Sequence, residues 1–165
     1  MKRAGCFLLF AVLLFLSGCG NLMHGSDGLL AKAREEIPLA DMENMELRIA
    51  GACAKGEKIL CWFVTGNEHQ AHSYFPMLCT QVRENVWRFE HLGKAMDRGT
   101  DIAVYLWEGS YSFLVNNEAC TAIEITDGNC TQLIPIREDA YPFVYLYEGI
   151  PGEYRFLAED GSEVR

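Results

Sequence analysis

"DIAVYLWEGSYSFLVN", residues 101–116, decides the fold. Two runs of alternating apolar residues flank Glu108-Gly109, where glycine permits the positive φ that a tight hairpin needs. With those two residues as the turn, Leu106 lies opposite Tyr111, Val104 opposite Phe113, and Ile102 opposite Val115. These six side chains then share one face, because a strand repeats every two residues. Tyr105, Trp107, Ser110 and Ser112 share the other. A one-residue slip would mix the two sets, so the pattern itself specifies the register. The Ile102/Val104/Leu106 side is expected to be the core face. A charge at Ser112 is expected to be tolerated if the other face is partly open.

The same texture continues in both directions. From Met45 onward, apolar and β-branched runs of strand length recur between turn residues: "MELRIAGA", "KILCWFVT", "SYFPMLCTQV" and "VWRFEHL" before the hairpin, "CTAIEIT", "TQLIPIR", "PFVYLYE" and "EYRFLAE" after it. Lys55-Gly56-Glu57 is expected to join the first two, and Asp127-Gly128 is expected to be a second two-residue turn. Residues 96–101 form a longer polar loop. The fold class is therefore mainly β, with antiparallel hairpins forming a twisted sandwich or a partly closed barrel. "VYLWEGSYSFLVNNE" at 104–118 also echoes "VYLYEGIPGEYRFLAED" at 144–160, with "CWFVTGNEHQAHSYFPM" at 61–77 as a looser third copy. Two or three copies cannot close a propeller, so the echo reads as repeated hairpins within one domain.

Upstream lies a different texture. Met1-Lys2-Arg3 leads into an apolar run that closes in Leu16-Ser17-Gly18-Cys19. A charged start, a short apolar stretch and small exit residues make a secretion signal. The run of ~13 residues is shorter than the ~20 that span a bilayer. Leu16-Ser17-Gly18-Cys19 resembles the bacterial lipobox. The resemblance implies a diacylglycerol on the Cys19 sulfur, cleavage after Gly18, and a membrane-anchored protein on the extracytoplasmic face. Residues 1–18 are then the signal peptide. Residues 19–44 hold the lipidated cysteine, a flexible glycine-rich tether over 20–28 and a short helix over about 28–36. Asp27 caps that helix and Pro38 ends it. Residues 45–165 form a single β domain, which resembles small bacterial surface lipoproteins to which no activity is attached.

Without residues 1–18 the chain carries 12 basic and 23 acidic side chains, a net of −11. That charge opposes binding to nucleic acid, whose phosphates would repel it. It also opposes the protein body lying on an anionic lipid surface, so the lipid is expected to hold the body near the membrane while the body stands off. Cys53, Cys61, Cys79, Cys120 and Cys130 make an odd number, with no Cys-x-x-Cys among them. Their pairing is open, and buried free thiols suit most of them.

Chemistry is sparse. Glu68, His69 and His72 carry good metal-ligand atoms, but their stretch lacks the His-Glu-x-x-His pattern and reads as a polar hairpin loop. No cofactor is expected beyond the lipid. Neither a Gly-x-Ser-x-Gly elbow nor a phosphate-cradling loop occurs. Tyr105, Trp107, Tyr145 and Tyr147 occupy matching positions in the internal echo; left open, their face is an aromatic platform suited to protein or carbohydrate contact, and covered by a second layer it is core, as aromatics on strands more often are. The expected function is a non-enzymatic, lipid-anchored module that binds a protein or cell-envelope ligand. A metal-assisted hydrolase using His69 and His72, and a tethered inhibitor or immunity factor of an envelope enzyme, are the alternatives.

Overall fold

The computed structural model describes residues 22–38, 45–66, 72–96 and 99–164. Cys19, the signal segment, Glu68 and His69 lie outside the described residues.

The hairpin at 102–115 forms in the register its alternation specifies. Strands β6 (Ile102–Trp107) and β7 (Ser110–Val115) pair Leu106 with Tyr111, Val104 with Phe113 and Ile102 with Val115. Glu108 and Gly109 both take positive φ, 48° and 71°, as a two-residue hairpin turn requires. The strands before it are β1 (Leu22–His24), β2 (Leu47–Lys55), β3 (Lys58–Thr65), β4 (Ser73–Arg83) and β5 (Val86–Leu92). Those after it are β8 (Ala122–Asp127), β9 (Cys130–Pro135), β10 (Phe143–Tyr147) and β11 (Glu153–Leu157). Helix α1 spans Gly25–Glu36. Three antiparallel sheets result, ordered β1-β5-β4-β3-β2, β10-β7-β6 and β11-β8-β9. The fold is mainly β and sandwich-like, and the described strands close no barrel.

Burial shows how the sheets stack. Leu60, Trp62, Val64 and Tyr74 of the first sheet pack against Ala103, Trp107 and Leu114 of the second. Phe113 and Val115, on the opposite side of the second sheet, pack with Ile123 and Ile125 of the third. The first sheet turns its remaining face, with Cys61, Phe63, Phe75 and Met77, toward Leu29 and Ala33 of α1. The order is helix, five-stranded sheet, three-stranded sheet, three-stranded sheet, and the β10-β7-β6 sheet is covered on both sides. Gly51 makes one close approach possible: a Cβ there would lie 2.6 Å from Val144 Cγ2 on β10.

Several expectations are corrected. The Tyr105/Trp107 side is not open: Trp107, Ser110 and Ser112 are buried, whereas Leu106 on the presumed core face is 53% exposed at the end of its strand. The second turn is Gly128-Asn129, because β8 and β9 pair Asp127 with Cys130. This register sets Ile123 against Ile134, whereas an Asp127-Gly128 turn would face Ile123 with Gln132. The 144–160 segment is not a hairpin: β10 joins β7 while β11 joins β8, so its connection carries the chain from one sheet to the other. The folded body also starts earlier than Met45. Leu22, Met23 and His24 pair with Arg88, Trp87 and Val86, so part of the expected tether is an edge strand. Asp27 stands in the first turn of α1 and His24 is the N-cap, so the helix begins three residues early. Its end is as expected: Ile37 is extended (φ −71°, ψ 116°) before Pro38.

The seam between the first two sheets carries a polar network. Trp62 Nε1 donates to Ser112 Oγ at 2.9 Å, and Cys53 Sγ lies 3.4 Å from the same oxygen. Lys55 Nζ donates to Ser110 Oγ at 2.9 Å and to the Glu108 carbonyl at 2.8 Å. A buried polar group without a partner is costly, so these bonds are what permit serines on a doubly covered strand. Ser112→Ala leaves the Trp62 N–H unpaired and is expected to destabilise the fold by about 1–3 kcal/mol. Ser112→Asp should abolish folding, whereas Leu133→Ala, at a site 57% exposed, should change stability by less than about 0.5 kcal/mol. Urea unfolding of the three variants checks the order.

Candidate functional site

The four aromatic residues do not form one face. Position by position across β7, Val104 and Tyr145 both flank Phe113, and Tyr105 and Leu146 both flank Ser112. Structural equivalence is therefore offset by 41 residues, whereas the sequence echo is offset by 40, and one residue of offset exchanges the faces. Tyr105 and Trp107 point at the first sheet, where Tyr105 meets Trp62 edge-on with centroids 6.2 Å apart. Tyr145 and Tyr147 point the other way, toward the third sheet. Both are half-buried along β10, where Phe143 stacks on Tyr145 at 6.4 Å and 7°. The Tyr147 hydroxyl donates to Asp127 Oδ2 at 3.1 Å.

His72 is the one described member of the proposed metal set, and it belongs to a polar network the sequence did not reveal. Its Nδ1 lies 3.0 Å from Asp101 Oδ1, and the Tyr74 hydroxyl donates to that same oxygen at 2.6 Å. Asn116 Nδ2 donates to the Tyr74 oxygen at 3.0 Å. Asp101 is held with φ at 54°, and its carbonyl accepts the Asn116 N–H at 2.8 Å. Strand ends from two sheets thus meet: Tyr74 opens β4, Asp101 precedes β6 and Asn116 follows β7. An ionised carboxylate only accepts hydrogen bonds, so Nδ1 is the donor in this contact, and in the neutral imidazole the lone pair then lies on Nε2. That tautomer suits a metal ligand or a base. Among the described residues no three His, Cys, Asp or Glu side chains converge on one point. Burial, and then the bond to Asp101, push the Tyr74 hydroxyl far above its ordinary value, so it remains a donor.

The thiols are placed as core side chains. Cys61 and Cys79 lie on neighbouring strands within the helix-facing core. A hydrogen bond to Cys61, and then burial, push the Cys79 thiol far upward. Burial pushes the Cys53 and Cys120 thiols upward as well. A raised thiol is a poor nucleophile at neutral pH. Cys130 is the exposed one.

A third feature emerges only from the topology. Four turns gather at one end of the molecule: Gly56-Glu57, Glu84-Asn85, Glu108-Gly109 and Gly128-Asn129. They are tied together by Lys58, which pairs with Glu108 at 2.8 Å, by the Gln81 N–H, which donates to the Glu57 carbonyl at 2.7 Å, and by the Tyr147–Asp127 bond. Val82, Leu106 and Ile150, exposed at 45%, 53% and 62%, lie at this turn end. Along the chain, Glu108 stands two residues after Leu106 and Glu148 two residues before Ile150. Among the described residues only Leu133 is a further large apolar side chain this exposed.

Comparison with known protein families, curated proteins and solved structures finds no match to this chain. No described helix is long and apolar enough to cross a membrane.

The His72 corner yields a stability prediction. Tyr74→Phe removes the hydroxyl that links Asp101 to Asn116 and should cost about 1–3 kcal/mol. His72→Ala, at a side chain 27% exposed, should cost less than about 1 kcal/mol. If metal binding at His72 holds this corner, a strong chelator lowers the wild-type melting temperature and leaves that of His72→Ala unchanged. With no metal bound, the chelator moves neither.

Proposed function

We propose that this chain is a lipid-anchored, non-enzymatic binding module on the extracytoplasmic face of a bacterial membrane, and that it holds a protein partner at its turn end. The observation that carries the binding reading is that Val82, Leu106 and Ile150 are exposed near the turn-end termini of β4, β6 and β10, on a body whose other large apolar side chains are mostly covered. Contiguous exposed apolar surface marks interaction sites, and these three side chains are the candidates to form it. The acids beside them suit a partner with a basic rim around an apolar centre. The anchoring reading rests on Leu16-Ser17-Gly18-Cys19, whose two ester-linked acyl chains would give stable attachment.

A metal-assisted hydrolase keeps one supporting observation, the carboxylate-oriented His72. It would also need ligands from the segment that holds Glu68 and His69. A tethered inhibitor of an envelope enzyme is a special case of the binding reading, with the enzyme as the partner.

The test is crosslinking in native membranes. Wild-type protein should give a discrete adduct with one partner. The double variant Leu106→Glu, Ile150→Glu should lose it, and Leu133→Glu should keep it. An adduct that survives the double variant, or is lost equally in Leu133→Glu, contradicts the placement. Cys19→Ala should accumulate as an unprocessed precursor without lipid; processing and fatty-acid labelling of that variant would overturn the anchor.

A further inference from the structure

The strand register shows at which end of β5 the described chain begins. Leu22 opens β1 opposite Arg88, and β1 runs antiparallel to β5. The chain therefore arrives from the side where β5 continues through Phe89 to Leu92. Cys19 is three residues before Leu22, and three residues extend at most roughly 10 Å. Helix α1 runs back from the Asn85 side, where the Gly25 N–H donates to the Asn85 carbonyl at 3.0 Å, and ends beside the same part of β5. Between helix end and strand end lies a shallow groove lined by Pro38, Phe89, His91, Leu92 and Lys94 together with two acids, Glu36 and Glu90.

The groove combines half-buried apolar groups with one lysine and two ion-paired carboxylates. Phe89 and Leu92 are only partly covered by the helix-facing core. The two acids in its lining are engaged: Glu36 pairs with Lys32 at 2.5 Å, and Glu90 pairs with Lys58 at 3.4 Å and accepts from Thr80. Lys94 is exposed at the rim. Half-covered apolar groups beneath a lysine match the boundary between acyl chains and anionic headgroups.

Charge along the chain points the same way. Residues 19–98, which include the helix and the five-stranded sheet, hold nine basic and eleven acidic side chains. Residues 99–165, which include both three-stranded sheets, hold three basic and twelve acidic. An anionic bilayer surface repels the second part far more than the first.

We infer that the groove formed by Pro38, Phe89, His91, Leu92 and Lys94 is the surface with which the body rests on an anionic bilayer, holding the acidic sheets and the turn end away from it. This orientation rests on the proposed lipidation of Cys19. It places the anchor and the partner-binding end at opposite ends of β5, so lipid and partner do not compete for one surface.

The test uses the full lipidated chain in vesicles of phosphatidylethanolamine and phosphatidylglycerol, with or without brominated acyl chains, which quench nearby tryptophan. Three variants each add one tryptophan at an exposed position: Lys94→Trp, His91→Trp and, on the far sheet, Leu133→Trp. Flotation with vesicles and the acylated mass are read first. For chain that floats, bromolipid should quench the added tryptophan of Lys94→Trp and His91→Trp several-fold more than that of Leu133→Trp. Equal quenching in all three, or stronger quenching in Leu133→Trp, overturns the orientation while lipidation stands. A chain that neither carries the lipid mass nor floats overturns the anchor, and the orientation with it.

Discussion

Strand β7 is covered on both faces, and the rest of the fold depends on satisfying it. Phe113 and Val115 fill the space toward the third sheet, and Leu114 with two serines faces the first. Ser110 and Ser112 are small enough to let the five-stranded sheet approach and polar enough to need partners. Trp62 and Lys55 supply them from β3 and β2. Each bond contributes only about 1 kcal/mol net, but a missing partner inside a dry seam costs more. The bonds therefore act chiefly on specificity: they fix which face of β7 meets which sheet. Once that is set, β6 and β10 add to its two edges, and the third sheet closes over the aromatic side.

The strands and the β6–β7 register were legible because alternation and a glycine turn are local signals. Each expected strand segment from Met45 onward corresponds to one of β2 through β11. Sheet membership was not legible. Whether β10 pairs with β11 or with β7 depends on sequence-distant partners, and the echo at Val104 and Val144 pointed to the wrong pairing. The turn after Thr126 was misplaced by one residue because Asp-Gly is the stronger local motif, while the opposition of Ile123 and Ile134 decided the register. Burial on both sides was hidden as well, since serine at 110 and 112 reads as solvent-facing until Trp62 is seen to donate to it. Edge strand β1 was missed because three residues in a glycine-rich stretch carry almost no pattern.

The candidate sites divide the same way. Alternation leaves open whether Tyr105 and Trp107 face solvent or a second layer; the first sheet covers them, burying Trp107 fully and Tyr105 in part. His72 was singled out from its spacing to His69, yet what orients it comes from Asp101, Tyr74 and Asn116, on other strands and loops. The turn end with Leu106 and Ile150 gave no motif at all. It exists only because antiparallel topology gathers turns at one end, and only exposure distinguishes its apolar residues from core ones.

Amide hydrogen exchange tests the central claim, that the doubly covered β7 is the organising strand. The account predicts that the amides of residues 111–115 that are hydrogen-bonded to β6 or β10 exchange only through global unfolding, as slowly as those of the central strand β3. Edge strand β9, exposed along most of its length, should exchange far faster. If the β7 amides exchange as fast as those of β9, the second sheet is not held from both sides, and the layered account is wrong.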